Sequence, residues 1–240
     1  MRKKNIIFII TSIILILFLL SISFGTQLKK SSEKTNINTL SKKEIQEGWK
    51  LLFDGKTLNG WQLSKPGTWG VEDGAIARVS KGSYIWTENK YGNFILDLEY
   101  KVSPNCNSGI FFRVGDLKDP VQTGFEMQVI DPWGSPDQKT KKNSCGSLYD
   151  IIGPSSDMSK PVGEWNNAVV TCKDNIISVS LNSVKVLEID LDKYTTPNMN
   201  IDGTKNKFNT ALKDFPRTGY IGFQDHGFPV WYRSVKIKNL

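Results

Sequence analysis

Three polar side chains interrupt a stretch that otherwise has the apolar character of a buried β-strand. In residues 124–131, with the sequence GFEMQVID, Glu126 and Gln128 point to one face of an extended strand, whereas Asp131 has the opposite parity. A one-residue β-bulge near the end of the strand would bring all three onto one concave face, and bulges are frequent beside active sites. Two carboxyl groups on one face suit sugar chemistry, in which one donates a proton and the other acts as base or nucleophile. The alternative is a solvent-exposed strand face that carries ordinary polar residues.

A second candidate is the segment 224–227, which contains His226, the single histidine of the chain. Histidine is the side chain whose ordinary pKa suits proton transfer near neutral pH. His226 follows a strand-like run and precedes a glycine, so we expect it at a strand end, where loops expose side chains. Gln224 and Asp225 stand beside it as candidate substrate contacts. The alternative is a surface histidine without a role.

Cationic and aromatic side chains near these segments complete the candidate site. Arg113 closes the strand-like run 107–113, and its guanidinium is expected to grip a substrate oxygen or to pair with a carboxylate such as that of Glu126. Trp133 and Tyr149 offer aromatic faces on which the apolar face of a sugar ring stacks. The predicted substrate-binding set is Arg113, Gln128, Trp133, Tyr149, Gln224 and Asp225.

The elements that must position these residues are short strands. Runs with strand periodicity alternate with turn residues from Trp49 onward, at 70–72, 94–100, 109–113, 168–172, 176–181, 185–189, 219–223 and 230–237. Strands this many and this short, in one region of roughly 190 residues, predict an all-β jelly roll of the lectin and glucanase type. Helical signals are few. A capping-box spacing at 41–44 predicts one short helix, and residues 205–215 have the pattern of another before Pro216.

The first 25 residues have the pattern of an export signal. A basic start from Arg2 to Lys4 precedes an almost uninterrupted apolar run over 6–24, with small residues where a signal peptidase cleaves. Residues 1–25 are therefore expected to be a signal peptide or, since the run approaches the roughly 20 residues that span a bilayer, an N-terminal membrane anchor. Both export the rest of the chain, to a periplasmic, extracellular or outward-facing anchored location. Residues 26–47 are polar and are expected to form a linker, which leaves the folded domain at 48–240.

The charge balance argues against nucleic acid as a partner. Of the formal +7, residues 1–25 carry three positive charges and residues 26–47 a net two, which leaves +2 on the remainder. A nucleic-acid-binding domain needs a clustered basic face. We therefore expect a small carbohydrate as the partner, and a membrane contact only through the N-terminal segment.

The chain has three cysteines, so in an oxidising compartment at most one intramolecular disulfide can form. Cys172 lies in a strand-like apolar run and is expected to be a small buried side chain. Cys106 and Cys145 lie in turns rich in Asn, Ser and Gly and are the predicted disulfide pair. No CxxC or His-rich spacing indicates a zinc site.

Several longer segments together resemble one known family. They are GWKLLFDGKTLNGW at 48–61, NSGIFFR at 107–113, GFEMQVID at 124–131, SLYD at 147–150, KPVGEWN at 160–166, GYIGFQDHG at 219–227 and VWYRSVKIKNL at 230–240. In this order they resemble the 3-keto-disaccharide hydrolase domain family. The resemblance implies a concanavalin A-like jelly-roll sandwich of two antiparallel sheets, similar to family-16 glycoside hydrolases. It also implies action on glycosides oxidised at C3, as a 3-keto-glucoside 1,2-lyase or 3-keto-2-hydroxy-glucal hydratase.

The resemblance also bears on the mechanism. Family-16 enzymes carry both catalytic carboxylates on a strand with E-x-D-x-x-E spacing, whereas this chain has Glu126, Gln128 and Asp131 at those offsets. The amide in the middle argues against double displacement. A C3 ketone instead acidifies the C2 proton, so a base forms an enolate, the C1 substituent is expelled and water then adds. His226 or Glu126 is the expected base, Arg113 the expected partner of the oxyanion or of Glu126, and Asp131 an aid to proton transfer.

Two classes of function follow. The first is an exported carbohydrate-active enzyme that cleaves the glycosidic bond of 3-keto-glycosides, by elimination and hydration or by net hydrolysis. The second is a non-catalytic carbohydrate-binding jelly-roll module, which would use the same face and the same aromatic residues. The spacing requires no cofactor, although a divalent metal ion at the carboxylate cluster could replace Arg113 as the electrophile.

Overall fold

Strands whose side chains alternate between buried and more exposed positions make up most of the molecule. The computed structural model describes residues 37–240, which belong to one compact unit. The strands are β1 (Trp49–Leu51), β2 (Trp61–Leu63), β3 (Trp69–Glu72), β4 (Ala75–Arg78), β5 (Ile85–Thr87), β6 (Phe94–Val102), β7 (Asn107–Val114), β8 (Phe125–Ile130), β9 (Asn166–Lys173), β10 (Ile176–Leu181), β11 (Val184–Asp190), β12 (Tyr220–Phe223) and β13 (Val230–Asn239). The described helices are α1 (Lys42–Gln46) and α2 (Pro120–Thr123), with 3-10 turns at Lys141–Asn143, Leu191–Lys193 and Leu212–Asp214.

Two antiparallel sheets pack face to face. The larger sheet has the order β11-β10-β9-β6-β13-β4-β3, with β1 also paired to β13, and the smaller has the order β2-β5-β12-β7-β8. Strand β6 is buried at every second residue from Phe94 to Val102, which is the two-residue period of a strand with one face on a core. Those residues join Ile110, Met127 and Phe223 of the smaller sheet in one apolar cluster. The predicted all-β jelly-roll sandwich is confirmed.

Strands β7 and β8 depart from this alternation, because every residue in them is buried. Their inner face belongs to the core. Their outer face carries Phe111, which packs with Trp86 and Val114 in a second, smaller apolar cluster. Glu126 and Gln128 alternate with core residues of β8 and therefore lie on this outer face. Buried polar groups need partners or a function, so we expect a functional site on the outer face of the smaller sheet.

A bulge is present in the strand next to the predicted one. Strand β8 pairs with β7 over its whole length in one register, so the bulge predicted near the end of β8 is absent. In β7, two residues, Phe112 and Arg113, oppose the single residue Ile221 of β12. Arg113 has a φ of 52°, in the left-handed region. Bulges re-aim side chains, and this one changes the position of Arg113.

The stretch that precedes β1, predicted as part of a solvated linker, lies against the domain. Asn38 donates from Nδ2 to the carbonyl oxygen of Gly74 at 2.8 Å and accepts at Oδ1 from the backbone N–H of Ser234 at 2.8 Å. Helix α1 begins with the predicted capping box, and its Glu44 forms an ion pair of 2.7 Å with Lys236. The folded unit therefore begins before the predicted boundary at residue 48.

Two further expectations concern helices. The predicted signal peptide or anchor over 1–25 lies outside the described residues. Within 37–240, no helix has the length and apolar character needed to cross a membrane. The helix predicted over 205–215 is absent apart from the 3-10 turn Leu212–Asp214. One reason is that Asn206 accepts at Oδ1 from the backbone N–H of Phe208 at 3.1 Å, a local bond that competes with helix formation.

The three cysteines are free thiols, so the predicted disulfide between Cys106 and Cys145 is not formed. Both residues lie in or beside turns, as predicted, but their side chains are buried in the apolar core. The sulfur of Cys145 lies 3.0 Å from the hydroxyl oxygen of Tyr100. Burial raises the pKa of both thiols, to about 12 for Cys106, which keeps them protonated and unreactive. Cys172 is buried, as predicted.

Candidate active site

Glu126 lies at the centre of the outer face of the smaller sheet. Strand β8 places it opposite Phe111 of β7, and 8% of the residue is exposed. Its side chain crosses Gly109: a Cβ atom at that position would lie 2.7 Å from both Cγ and Cδ of Glu126. Real Cβ contacts are longer than this, so the close approach requires glycine beneath the carboxyl group.

The amide of Gln128 holds the Glu126 carboxyl group. Gln128 is 1% exposed. With its nitrogen turned toward Glu126, it donates to Oε1 at 3.2 Å and to the Ser108 carbonyl oxygen at 3.0 Å, whereas in the opposite orientation its oxygen faces only acceptors. The orientation is thus assigned from the hydrogen-bond network. Gln128 acts as a neutral donor to Glu126, not as a second acid.

Burial makes Glu126 a weak acid. It raises the pKa of this carboxyl group to about 8, from an ordinary value of 4.5, while the positive charge of Lys207 opposes the rise. No described residue forms an ion pair with the carboxyl group. Glu126 is therefore largely protonated at neutral pH, and its ionised form is a much stronger base than an exposed carboxylate.

Two tyrosines face Glu126. Tyr84, in the loop before β5, stacks on Trp86 with ring centroids 5.0 Å apart and forms a hydrogen bond with the Gln224 side chain. Tyr149 donates its backbone N–H to the carbonyl oxygen of Glu126 at 2.9 Å. Burial raises the pKa of both phenols, and the negative charge of Glu126 raises it further. Both hydroxyl groups therefore stay protonated and able to donate.

A cation reaches this face from a distant loop, 198–208. The ammonium nitrogen of Lys207 lies 3.9 Å from the ring centroid of Tyr149, and its backbone N–H donates to Oδ2 of Asp150 at 2.8 Å. Desolvation lowers the pKa of Lys207, and the charges of Glu126 and Asp150 offset part of that decrease. The site thus combines a weak acid, a partly desolvated cation and two phenols.

A buried chain of hydroxyl groups supports the site from the core. Ser108 donates from Oγ to the carbonyl oxygen of Gln224 at 2.5 Å. Since a serine hydroxyl carries one proton, Ser108 must accept from the hydroxyl of Tyr232, 2.7 Å away. The chain joins β13 of the larger sheet to β7 and to the end of β12. It fixes Gln224, a predicted substrate contact, beside Tyr84.

Asp131 does not share the face of Glu126. Its carboxylate accepts the backbone N–H groups of Asn105 at 2.9 Å, Trp133 at 3.0 Å and Gly134 at 2.9 Å. Desolvation raises the pKa of Asp131, but the three N–H donors lower it by more, so the net change is downward. Asp131 therefore stabilises the turn after β8 as an ionised acceptor. Trp133, on that turn, is 65% exposed, which leaves its ring open to a sugar.

Arg113 lies away from the site, contrary to the prediction. Its left-handed φ directs the side chain into the protein, and the residue is fully buried. The guanidinium donates to the carbonyl oxygens of Gly92 at 3.0 Å and Asp174 at 2.9 Å and to Oδ1 of Asn93 at 3.0 Å. These partners lie before β6 and in the β9–β10 turn of the larger sheet. Arg113 therefore ties the two sheets together.

His226 is exposed on the turn that follows β12, and its ring makes no hydrogen bond to the described residues. The carboxylate of Asp225 binds Nε of Arg78 at 3.0 Å and the backbone N–H groups of Gly82 at 2.5 Å and Gly227 at 2.7 Å. Asp225 thus joins the turn to the segment after β4 and does not orient the imidazole of His226. The catalytic role of His226 and the substrate contact of Asp225 stay predictions.

The carboxylate cluster at which a divalent metal ion could replace Arg113 is not assembled. Glu126 and Asp131 have opposite parity on an uninterrupted strand. Among residues 37–240, no group of three or more His, Cys, Asp or Glu side chains is placed to hold a metal ion.

The sequence reasoning missed Gly109, Tyr84 and Lys207. A glycine inside a strand signals a close approach of another group, so Gly109 carried a usable signal. Lys207 lies in the stretch 198–209, NMNIDGTKNKFN, whose asparagines are typical of ordered polar loops that carry function. Nothing in the local sequence marks Tyr84 as part of the site.

Comparison with known proteins gives consistent matches. Residues 48–238 match a 3-keto-alpha-glucoside-1,2-lyase-like domain. A 3-keto-disaccharide hydrolase from Bacteroides thetaiotaomicron is 31% identical, over 88% of this chain and 85% of that protein. Two crystal structures from Parabacteroides distasonis, both described as candidate glycosyl hydrolases, are similar. One has 34% identity and a TM-score of 0.75, over 80% of this chain and 99% of that one. The other has 32% identity and a TM-score of 0.70, over 85% and 99%.

Proposed function

Since the chain belongs to the 3-keto-alpha-glucoside-1,2-lyase-like family, we propose that it cleaves the glycosidic bond of 3-keto-glycosides with Glu126 as the base. One observation carries the proposal. A single buried carboxyl group, with its pKa raised to about 8, lies across Gly109 on the outer face of the smaller sheet. A base with a pKa near the working pH is the most effective kind for removing a proton from carbon.

The chemistry follows from the ketone at C3 of the sugar. The ionised Glu126 takes the proton from C2, and the electron pair of that C–H bond forms an enolate with its charge on the C3 oxygen. The pair then returns to form a C1=C2 bond, the C1–O bond breaks, and the departing oxygen takes a proton. The products are an alcohol and a 2-hydroxy-3-keto-glucal, and water adds across the C1=C2 bond to give the 3-keto sugar.

Tyr149 is suited to give the proton to the departing oxygen. Its hydroxyl group has no hydrogen-bond partner among residues 37–240, whereas the hydroxyl of Tyr84 is engaged by Gln224. Its raised pKa keeps the phenol protonated. The amide of Gln224 offers a donor and an acceptor for the sugar hydroxyls, whereas both N–H groups of Gln128 already donate to Glu126 and Ser108.

Glu126 is a better base than His226 for this reaction. An enolate is stabilised best where water is excluded and fixed donors surround it. Glu126 is buried among such donors, while His226 is exposed at the tip of a turn.

We further propose that the protein acts outside the cytoplasm. The basic and apolar pattern of residues 1–25 supports this, and fractionation of the producing cells followed by N-terminal sequencing tests it.

The test of the activity uses the purified protein and a 3-keto-glucoside with a chromogenic aglycone, beside its unoxidised parent, each with and without a chelator. We expect release from the keto substrate alone, with kcat/KM rising with pH around a midpoint near 8. Glu126→Gln should lower kcat/KM by about 10³-fold. The matched variant His226→Ala should lower it less than tenfold and leave the pH midpoint in place.

Equal cleavage of both substrates, or a normal rate in Glu126→Gln, would contradict the proposal. Saccharide binding without any release would favour the carbohydrate-binding module instead. Loss of activity with the chelator would add a metal ion to the chemistry.

A further inference from the structure

Among the described residues, the ammonium group of Lys207 lies against an aromatic ring and not against a carboxylate. Its Nζ lies 3.9 Å from the ring centroid of Tyr149 and 6.0 Å from that of Phe208. No hydrogen bond or ion pair from Nζ to the described residues competes with these contacts. All three N–H donors of the ammonium group are therefore available to a ligand.

The loop that carries Lys207 is held by buried amides. Asn206 donates from Nδ2 to Oδ1 of Asn200 at 2.9 Å, and Asn200 donates from Nδ2 to the carbonyl oxygen of Asp150 at 3.0 Å. Asp150 also accepts the backbone N–H of Lys207, and Phe208 is buried beside it. Such a network fixes the backbone on both sides of Lys207. A cation fixed in advance stabilises developing charge without reorganisation of its surroundings.

The charges of Lys207 and Glu126 affect each other's pKa, although the two groups form no ion pair. The charge of Lys207 lowers the pKa of Glu126, and the charge of Glu126 raises the pKa of Lys207. No ion pair joins the two groups, however. Tyr149 links them: its ring lies 3.9 Å from Nζ of Lys207, and its backbone N–H donates to the carbonyl oxygen of Glu126 at 2.9 Å. The base and the cation therefore belong to one site, and neither neutralises the other.

We propose that Lys207 is the electrophile of this site and donates to the C3 oxygen of the bound 3-keto sugar. This inference rests on the proposed function. When Glu126 removes the C2 proton, the negative charge develops on that same oxygen, so the ammonium group stabilises the enolate and the transition state that leads to it. The role that the sequence suggested for Arg113 thus falls to a lysine from another part of the chain.

The experiment separates enolate formation from bond cleavage. Exchange of the C2 proton of a 3-keto-glucoside with deuterium is followed by NMR in deuterium oxide, beside aglycone release, for the wild type and the variants. Lys207→Met should slow both exchange and release by about 10²- to 10³-fold, with a smaller change in KM. Lys207→Arg should recover part of both rates. Lys205→Met removes an exposed lysine of the same loop and should leave both unchanged.

The leaving-group step provides an internal comparison. Tyr149→Phe keeps the ring beneath Lys207 and should slow release while exchange continues. A wild type that neither exchanges nor releases would overturn the proposed function itself. A wild type that does both, together with Lys207→Met that does both at a similar rate, would overturn the role of Lys207 alone.

The pH profile of the residual Lys207→Met activity excludes a merely structural role. The groups that face Glu126 are Lys207, Tyr84, Tyr149 and, from the core, Tyr232. Of these, Lys207 is the one whose charge lowers the pKa of Glu126. Its removal should therefore move the kcat/KM midpoint to higher pH, and an unmoved midpoint would contradict the proposed geometry.

Discussion

Replacing Glu126 by glutamine should stabilise the protein, and increasingly so as the pH rises. The glutamine has the same shape, and its carbonyl oxygen can still accept from Gln128. What changes is that the position no longer ionises. The gain arises because the native fold holds a carboxyl group in a place where its charge is poorly solvated, a common conflict between activity and stability.

The magnitude follows from the two pKa values. In the folded protein the pKa of Glu126 is about 8, and in the unfolded chain it returns to about 4.5. Between these values the unfolded state has released the proton and the folded state has kept it, so the free energy of unfolding of the wild type falls with rising pH, by about 1.4 kcal/mol per pH unit. Below pH 4.5 the effect vanishes, and above pH 8 it is constant at about 5 kcal/mol at most.

The assay is urea-induced unfolding of the wild type and Glu126→Gln at pH 5.5, 6.5, 7.5 and 8.5. The unfolding free energy of the variant minus that of the wild type should increase with pH and level off near pH 8. Other titrating groups are the same in both proteins, so their contributions cancel in this difference. Glu164→Gln, at an exposed glutamate in the turn before β9, is the matched control and should give a flat line. A difference for Glu126→Gln that does not vary with pH would refute the assignment of a buried, raised-pKa carboxyl group.

Two other predictions rest on single contacts. Gly109→Ala should displace the Glu126 side chain and lower kcat/KM by about 10²-fold in the wild type but little in a Glu126→Gln background. The control Gly70→Ala, in the other sheet, should leave activity unchanged. Equal losses in both backgrounds would show that the effect is not on the base. Arg113→Met should lower the free energy of unfolding by about 3 kcal/mol, because it removes three hydrogen bonds made by a buried guanidinium, and urea denaturation measures this. A loss of turnover at unchanged stability would instead return Arg113 to the site.

The fold was accessible from the sequence because the signals for it are local. Alternation of apolar and polar residues marks β6, and a serine three residues before a glutamate marks the start of α1. The same parity argument placed Glu126 and Gln128 together. Each of these inferences needs only the geometry of one element, so neighbouring residues carry the whole signal.

The errors at Asp131 and Arg113 share one cause. Both predictions assumed which face of a strand a side chain would take near the strand's end, where the backbone ceases to be regular. The carboxylate of Asp131 is used by the three N–H groups of a turn, and the bulge in β7 turns Arg113 toward the larger sheet. Parity within a strand does not report either event, because both depend on what packs at its end.

Lys207 was missed for a different reason. It is 81 positions from Glu126 in the sequence, in a loop without periodicity, and its approach to the site depends on contacts of Asn200 and Asp150 that no local pattern encodes. The cysteine prediction failed in the same way. Turn-like neighbours suggested a disulfide between Cys106 and Cys145, whereas both are free thiols buried in the apolar core.

The attachment of Asn38 has a practical consequence for excising the domain. The family match begins at residue 48, and a recombinant chain cut there would lack the amide that pairs with Gly74 and Ser234 and the carboxylate that pairs with Lys236. The cut would remove contacts from β13, the strand that also carries Tyr232 beneath the site. Expression trials should therefore start at or before residue 37, since a shorter protein would lack these contacts.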